Sequence, residues 1–362
     1  MTALRTAILL PPGSLFSEAR PNSMETVVRT LARCDHDPDT RILCQEGAQD
    51  HNASRVIALP RRNTQQSLFD ALRALQPELI EHHQQVKQAL AVSARFPQAV
   101  HVLYRHNALK PARRWFDRWR YALRYSRMDG FIFVSQAEKT AFARTYPQLA
   151  DRAHAVPNPI DAGAWLAPPE DRQPIIAFAG RAMPEKGLDV LCAALPAVLD
   201  SHPTWRAVLM LNDWAAHADW AAPHLTPLQR FGPRVAVLRS APLDQVREQM
   251  KSAAIAVTPS TWDEPFGLTA VEAHAAGAAL ISSGRGGLRE ASGDHAHYLD
   301  AVTPRHLVAA LDALIREPNR RLALARAAQH YVLKTHTPER RAAELAQVRR
   351  QLVESRKRRD AA

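Results

Sequence analysis

The sequence predicts an α/β protein of two doubly wound, parallel-sheet domains, and three observations carry this fold class. Short apolar runs alternate with helical patterns of ten or more residues, which is typical of parallel sheets covered by helices on both faces. The runs form two series, separated by a proline-rich stretch with little periodicity, residues 155–174. The length of 362 residues also exceeds what one hydrophobic core usually takes.

The predicted strands set the domain boundaries. The first series is TAILL (6–10), RILC (41–44), RVIAL (55–59), AVHVLY (99–104) and FIFV (131–134), and PELIEHHQ (77–84) ends a further strand. The second series is IIAFAG (175–180), RAVLML (206–211), VAVLR (235–239), AIAVTPS (254–260) and ALIS (279–282). We expect one domain over 1–160, a second over 161–335, and a long charged helix over 336–362 that packs toward the first domain.

The composition is that of a soluble globular protein, with 46% hydrophobic and 23% charged residues. No apolar run is long enough to span a membrane, and the N-terminus lacks a signal-peptide pattern. Three scattered cysteines without metal spacing favour a reducing compartment, in which the thiols are buried as small apolar groups. We therefore expect a cytoplasmic protein.

The positive charge is unevenly distributed. Of the net +11, residues 1–165 carry +7, residues 166–335 carry 0 and residues 336–362 carry +4. Such an excess favours an anionic partner, which can be nucleic acid, a membrane surface or an acidic polymer. Charge alone does not choose among these partners.

Two stretches of the second domain have the pattern of a ligand site. In IIAFAGRAMPEKG a strand ends before Arg181 and Lys186, which places two cations at the edge where α/β sheets bind anions. In DEPFGLTAVEAHAAG, Glu264 lies just before a helix predicted over 268–276, and Glu272 lies about one turn inside it. The alternatives are a solvated charged loop for the cations and a helix cap for Glu264.

GRAMPEKG, together with TPSTWDEPFGLTAVEAHAAGAALISSGRGGLRE, resembles the donor-binding half of the family 4 retaining glycosyltransferases, which have the GT-B fold. The resemblance is close over about 175–300 and concerns only the layout in the first half. It implies two Rossmann-like domains that face a central cleft and use a nucleotide-sugar.

The resemblance also assigns roles in the donor site. Glu272 would accept hydrogen bonds from ribose hydroxyls, and Glu264 would contact hydroxyls of the donor sugar. Arg181 and Lys186 would neutralise the diphosphate. Backbone N–H groups would also face the donor, those of Phe266, Gly267 and Leu268.

In the first domain the resemblance implies a catalytic-site histidine, His83, with a surface pair of histidines as the alternative. His106 is a candidate for the acceptor side, or a histidine that only packs. Gly13 and Ser14 are further acceptor-side candidates. The run PNSMETVV (21–28) replaces a Gly-Gly-x-Glu run common among relatives, although Asn22 and Ser23 can still cap a helix.

No metal or other cofactor is expected. DHDPD (35–39) contains Asp-x-Asp patterns, which other glycosyltransferases use to hold a divalent ion. Because it is remote in sequence from the donor motifs, we interpret it as a solvated turn. The absence of GxGxxG, P-loop and GxSxG motifs disfavours nicotinamide, ATP and acyl-hydrolase chemistry.

The pattern of residues 110–128 predicts an amphipathic helix with a face suited to a membrane surface. Its apolar arc is Trp115, Phe116, Trp119, Ala122 and Leu123, and its arginines include Arg113, Arg114, Arg118 and Arg120. Aromatic residues opposite arginines suit an anionic membrane surface. The alternative is an apolar arc that packs on its own sheet beneath solvated arginines.

The sequence as a whole predicts a retaining glycosyltransferase that uses a UDP-sugar in preference to a GDP-sugar. We expect a glycan or lipid-linked acceptor in the synthesis of cell-surface polysaccharide or lipopolysaccharide, peripheral to the inner face of the membrane. A nucleotide-sugar 2-epimerase on the same fold is the alternative. A basic nucleic-acid-binding protein is more remote, because it leaves Glu264 and Glu272 without a role.

Overall fold

The computed structural model describes residues 3–16, 22–47, 55–62, 64–108 and 114–361. The chain divides into two compact units. The first unit is Met1–Pro159 together with Pro338–Ala362, and the second is Ile160–Thr337. Each unit is built on one sheet whose strands are all parallel.

The sheet of the first unit has seven strands in the order β3-β2-β1-β4-β5-β6-β7. Strand order runs outward from β1 on both sides, which is the doubly wound arrangement. The strands are β1 (Thr6–Leu9), β2 (Arg41–Gln45), β3 (Val56–Leu59), β4 (Leu79–His83), β5 (Val100–Arg105), β6 (Gly130–Phe133) and β7 (Ala153–Ala155).

Among the described residues five α-helices connect these strands, and side-chain caps are seen at the start of two of them. Asn22 caps α1 by accepting the N–H of Glu25 at 2.9 Å, and Ser135 caps α5 by accepting the N–H of Glu138 at 3.1 Å. The helices are α1 (Ser23–Arg33), α2 (Thr64–Leu75), α3 (Val86–Arg95), α4 (Trp115–Tyr125) and α5 (Gln136–Thr145).

The sheet of the second unit has six strands in the order β10-β9-β8-β11-β12-β13. The strands are β8 (Gln173–Arg181), β9 (Arg206–Asn212), β10 (Val235–Arg239), β11 (Ala253–Thr258), β12 (Ala279–Ser282) and β13 (His297–Tyr298). The helices are α6 (Ala162–Trp165), α7 (Leu188–Ser201), α8 (Trp214–Leu225), α9 (Leu243–Ser252), α10 (Leu268–Ala275), α11 (Leu288–Ser292), α12 (Pro304–Arg316) and α13 (Pro318–Thr335).

The last helix, α14 (Pro338–Ala361), belongs to the first unit. It is strongly charged, as predicted, but one side of it is buried and includes Leu345, Arg349 and Leu352. In the described part of the chain no helix is both long enough and apolar enough to cross a membrane.

The predicted fold class of two parallel-sheet α/β domains is confirmed. Every strand of the two predicted series is present, and the predicted ends agree with the structure to within two residues. Two strands were missed, β7 and β13, because three and two residues are too few to show a period. Cys44 and Cys192 are buried as predicted, whereas Cys34 is half-buried.

Candidate functional site

The loop after β8 lies close to the end of β11. After Arg181 the chain makes a 3₁₀ turn over Pro184–Lys186 and enters α7 through Gly187, which has φ +68°. A Cβ on Gly187 would lie 2.0 Å from the carbonyl oxygen of Pro259. Glycine is therefore required here both by its backbone conformation and by the close approach of the two loops.

This close approach joins Lys186 to Glu264. The Nζ of Lys186 lies 2.6 Å from Oε1 of Glu264, and the hydroxyl of Ser260 donates to the same oxygen at 2.6 Å. Glu264 is only 6% exposed, so its charge needs such partners. The backbone supports the contact, because the N–H of Thr261 donates to the carbonyl of Glu185 at 3.0 Å.

The ring of Trp262 lies beside the group formed by Lys186, Glu264 and Ser260. The Nζ of Lys186 lies 5.7 Å from the ring centre of Trp262, within the range of a cation–π interaction. The indole N–H of Trp262 is buried and has no protein acceptor within the described ranges. Trp262 and Ser260 were not predicted as site residues, although both lie in the run TPSTWDE that precedes Glu264.

Helix α10 begins at Leu268, four residues after Glu264. Gly267 caps the helix with φ +106°, and a Cβ there would lie 2.5 Å from the side chain of Leu288. Phe266 is buried against the ring of His336, and Leu268 is the first helical residue. The first N–H groups of a helix have no intrahelical acceptor, so this end favours oxygen atoms of a ligand.

Glu272 lies on the second turn of α10, as predicted. It is half-buried, and burial raises its pKa to about 7, although the nearby Arg247 guanidinium opposes this rise. Among the described residues none donates a hydrogen bond to its carboxylate. Glu272 therefore retains its acceptor capacity for the hydroxyls of a ligand.

Arg181 ends β8 opposite Asn212 of β9 and is exposed. It makes no ion pair with any side chain that the structure describes. The second unit thus brings Lys186, Glu264 and the start of α10 together and leaves Arg181 available at the carboxyl edge of its sheet.

In the first unit the two neighbouring histidines of β4 are buried, so the alternative of a surface pair is wrong. His82 contacts His101, with ring nitrogens 3.1 Å apart. His83 is 2% exposed, and its Nδ1 lies 2.8 Å from Nε2 of His106. The ring of Tyr104 stacks on both His83 and His106, with centroid distances of 4.9 and 4.7 Å.

Behind His83 lies an ion triad that the sequence did not reveal. Arg349 of α14 donates to both carboxylate oxygens of Glu81, at 2.9 and 2.8 Å, and to Asp35 at 2.8 Å. Burial alone raises the pKa of Glu81, but Arg349 and His83 bring it down to about 2. The arginine itself has a raised pKa because the two carboxylates outweigh its burial.

The interpretation of DHDPD (35–39) as a solvated turn is wrong for Asp35. The segment is a turn, but the Asp35 side chain is 9% exposed, paired with Arg349 and bound to the hydroxyl of Thr40 at 3.0 Å. Asp37 accepts the N–H of Leu4 at 2.6 Å. Within the described ranges no three His, Cys, Asp or Glu side chains are grouped to hold a metal ion.

The acceptor-side candidates before α1 are Gly13 and Ser14, and the hydroxyl of Ser14 is already bound to another side chain of the protein. Gly13 has φ +89°, and the buried hydroxyl of Ser14 donates to Glu25 in the first turn of α1. Their role toward an acceptor stays a prediction.

Helix α4 differs from the predicted apolar arc. The residues that pack on the sheet are Tyr121, Ala122 and Tyr125, whereas Trp119 is 63% exposed and Leu123 is 58% exposed. The alternative in which the whole arc packs internally is therefore wrong for Trp119 and Leu123. Exposed arginines surround this pair, namely Arg114, Arg118 and Arg120. Arg113 and the side chain of Trp115 lie outside the described residues.

Comparison with known proteins shows the family. Residues 22–163 match the family model Glycosyltransferase Family 4, and residues 167–331 match Glycosyl transferases group 1. The chain is 26% identical to the lipopolysaccharide 1,2-N-acetylglucosaminetransferase of Salmonella typhimurium, over 75% of this chain and 70% of that protein. It is 29% identical to the alpha-maltose-1-phosphate synthase of Mycolicibacterium smegmatis, over 61% of this chain and 65% of that protein.

Solved structures share the fold. Anabaena HepE in complex with UDP superposes with a TM-score of 0.76 at 17% identity, over 95% of this chain and 99% of that chain. The same Anabaena protein has also been solved in complex with UDP-glucose. At this level of identity the likeness concerns the fold.

The raised pKa of Glu272 predicts a pH-dependent stability. Its folded pKa of about 7 lies above the ordinary value of 4.5, so the native state loses stability as pH rises from 4.5 to 7. Glu272→Gln removes this loss. We expect it to raise the free energy of unfolding of the second unit by on the order of 2 kcal/mol at pH 8, and by little at pH 4.

Urea unfolding followed by tryptophan fluorescence at both pH values measures this difference. Glu248→Gln, on the exposed side of α9, is the matched control and should shift stability equally at the two pH values. An equal effect of Glu272→Gln at pH 4 and pH 8 would contradict the raised pKa.

Proposed function

Because the chain belongs to the family 4-like glycosyltransferases of the GT-B fold, we propose that it transfers one sugar from a nucleotide-sugar to a glycan or lipid-linked glycan. The observation that carries this proposal is the group of Lys186, Glu264 and Ser260 beside the start of α10. The Salmonella relative, named as a lipopolysaccharide N-acetylglucosaminetransferase, supports a role in cell-surface polysaccharide or lipopolysaccharide synthesis.

In this proposal each group of the second unit contacts one part of the donor. Glu272 accepts hydrogen bonds from the ribose hydroxyls, for which its carboxylate has free acceptor capacity. Lys186 and Arg181 bind the diphosphate, and the start of α10 adds backbone N–H groups. Glu264 binds hydroxyls of the sugar. We favour a UDP-sugar over a GDP-sugar, and the UDP complexes of the Anabaena protein with the same fold support this choice.

Donor binding changes the partner of Lys186. Without donor, Lys186 and Glu264 neutralise each other across 2.6 Å. A diphosphate offers the ammonium more negative charge than one carboxylate does, so Lys186 can turn to the phosphate while Ser260 keeps its hold on Glu264. The negative charge that develops on the leaving diphosphate is then stabilised by two cations already in position.

We propose that the anomeric configuration is retained. Glu81 is the carboxylate beside His83, and both of its oxygens are bound to Arg349. A carboxylate held in this way is a poor nucleophile, which supports departure and attack on the same face of the sugar. The leaving diphosphate would then accept the proton of the acceptor hydroxyl. A 2-epimerase would instead convert the donor without any acceptor.

The donor assignment is tested by variants of the second unit. Glu272→Ala should weaken UDP binding about tenfold or more, because hydrogen bonds to a charged acceptor contribute about 1.5–3 kcal/mol each. Lys186→Ala, Arg181→Ala and Glu264→Ala should each lower turnover of the UDP-sugar by about 10²-fold. Titration calorimetry and UDP release measure the two effects.

Glu248→Ala is the matched control, since it removes an exposed carboxylate of α9 outside the group. A wild-type protein that binds neither UDP-sugars nor GDP-sugars in a thermal-shift screen would contradict the proposed function. Product formed from donor alone, with the sugar inverted at C2, would support the epimerase.

We also propose that no metal ion takes part, since Lys186 and Arg181 can supply the charge that a divalent ion would contribute. Activity should persist within about twofold after treatment with EDTA, because the diphosphate keeps its cationic partners. Loss of activity on chelation, with recovery on addition of Mn²⁺ or Mg²⁺, would reject this proposal.

We propose that α4 binds an anionic membrane surface on the cytoplasmic side. Trp119 and Leu123 are one helical turn apart and both exposed, so they form an apolar patch available for shallow insertion. Arg114, Arg118 and Arg120 flank the patch, and cations near anionic lipid each contribute about 1 kcal/mol. The net +7 of residues 1–165 adds to this attraction.

Replacing Arg113, Arg114, Arg118 and Arg120 with Gln should weaken binding to anionic vesicles by about tenfold or more without changing UDP affinity. Co-sedimentation at low and at physiological salt measures the binding, which should fall as salt rises because the Debye length shortens to about 8 Å. The matched control replaces four exposed cations of the second unit with Gln, namely Arg305, Arg316, Arg320 and Lys334. Equal recovery of wild-type protein in the supernatant with anionic and zwitterionic vesicles would contradict the proposal.

A further inference from the structure

The loop that follows β12 packs against the segment that carries Glu264. This glycine loop, residues 284–288, has the sequence Gly-Arg-Gly-Gly-Leu and ends at the first residue of α11. Gly286 pairs with Glu264 in an isolated parallel β-bridge. The N–H of Gly287 also donates to the carbonyl of Glu264 at 2.7 Å. The backbone of Glu264 is therefore fixed by a second loop and not by its own segment alone.

The two segments lie too close together for a side chain on either of these glycines. A Cβ on Gly286 would lie 2.4 Å from the carbonyl oxygen and 2.7 Å from the nitrogen of Glu264. A Cβ on Gly287 would lie 2.4 Å from the carbonyl oxygen of Pro265 and 2.6 Å from Cα of Phe266. All four atoms belong to the backbone, which cannot rotate away as a flexible side chain can. The observed position of Glu264 thus requires glycine at both places.

Two further contacts extend the pairing to both sides of Glu264. Before it, Nε of Arg285 donates to Oδ1 of Asp263 at 3.2 Å. After it, the side chain of Leu288 is 1% exposed and lies 2.5 Å from the place of a Cβ on Gly267. The glycine loop therefore contacts the chain from Asp263 to the residue before α10.

The carboxylate of Glu264 is bound at one of its two oxygens. Lys186 and Ser260 both donate to Oε1, each at 2.6 Å. Among the residues that the structure describes, none donates to Oε2. Because the glycine loop fixes the backbone and two donors fix Oε1, the direction of Oε2 is fixed as well. A carboxylate oxygen in this state can accept a hydrogen bond from a hydroxyl.

Resting on the proposed glycosyl transfer, we propose that the glycine loop positions Glu264 for the sugar part of the donor. Gly286 and Gly287 are positioning residues, which act through Glu264 and not on the ligand. Ser260 keeps Oε1, and Oε2 accepts a hydroxyl of the sugar. The loop should therefore matter for a nucleotide-sugar and not for the bare nucleotide.

Gly286→Ala and Gly284→Ala form a matched pair. The φ angles are +60° and +64°, so alanine brings similar backbone strain to both. A Cβ on Gly284 would meet side chains, those of Tyr298 at 2.7 Å and Arg289 at 3.3 Å, and not the backbone of Glu264.

We expect Gly286→Ala to lower kcat for UDP release from a UDP-sugar by about 10- to 100-fold, with the dissociation constant of UDP within about twofold of the wild type. Gly284→Ala should leave both quantities within about twofold, because it does not displace a group that binds the sugar. Equal losses of kcat in the two variants would overturn the proposal.

A double variant shows whether Gly286 acts through Glu264. Glu264→Ala combined with Gly286→Ala should have a kcat within about twofold of Glu264→Ala alone, because no carboxylate is left to position. Independent defects would multiply instead. A further loss of about 10- to 100-fold in the double variant would therefore overturn the proposal.

Gly287→Ala tests the same loop without strain in the left-handed region, since φ is −71° at this residue. Its Cβ still meets the backbone of Pro265 and Phe266, so we expect a loss of kcat with UDP affinity retained. Thermal unfolding followed by circular dichroism shows which variants fold. A folded Gly287→Ala with the kcat of the wild type would overturn the proposal, even where Gly286→Ala does not fold.

Crystal structures of the full-length protein without ligand give a readout that does not depend on activity. Wild type and Gly284→Ala should keep Nζ of Lys186 within hydrogen-bond distance of Oε1 of Glu264. In Gly286→Ala the backbone of Glu264 should shift away from the new methyl group, and an unmoved Glu264 would overturn the proposal. If the wild type neither binds UDP nor releases it from a UDP-sugar, the proposed function fails, and these structures still decide whether the loop positions Glu264.

Discussion

The first unit depends on a buried cation that must be neutralised. A guanidinium removed from water is strongly unfavourable unless carboxylates face it, and Arg349 has two of them, Glu81 and Asp35. These three residues come from α14, from β4 and from the turn after α1, so one interaction fixes three parts of the fold. Removal of Arg349 would leave two buried carboxylates without their cation, and such uncompensated burial is strongly destabilising.

The second unit also contains a charge pair in which each member neutralises the other, but this pair is less buried. Lys186 and Glu264 also neutralise each other, but the side chain of Lys186 is 21% exposed, and the pair lies beside a helix start and an exposed Arg181. A pair that is partly open to solvent can exchange partners with a ligand at moderate cost, whereas the triad of Arg349 cannot. Burial therefore distinguishes the ion pair of the first unit, which solvent hardly reaches, from that of the second unit, which a ligand can approach.

The sequence could predict those features that depend on neighbouring residues. Apolar runs located the strands, and the spacing of Glu264 and Glu272 around Gly267 located both carboxylates relative to α10. It could not show the triad, because Arg349 is 268 residues from Glu81 and lies in a helix with many other arginines. The burial of His83 also depends on Tyr104 and His106, which lie outside its own strand. Periodicity alone grouped Trp119 with Ala122 in one apolar arc, but Ala122 packs with Tyr121 and Tyr125 while Trp119 is exposed.

The position of α14 has a consequence for how the chain is made on the ribosome. The first unit is discontinuous, since its last helix follows the whole of the second unit. Arg349 follows Glu81 by 268 residues. At synthesis rates of roughly 5–20 residues per second, Arg349 is therefore added to the chain about 13–54 s after Glu81. During this interval the nascent sheet has its acidic residues but lacks the helix that covers them. The second unit, Ile160–Thr337, is therefore translated in full before the first unit receives its last helix.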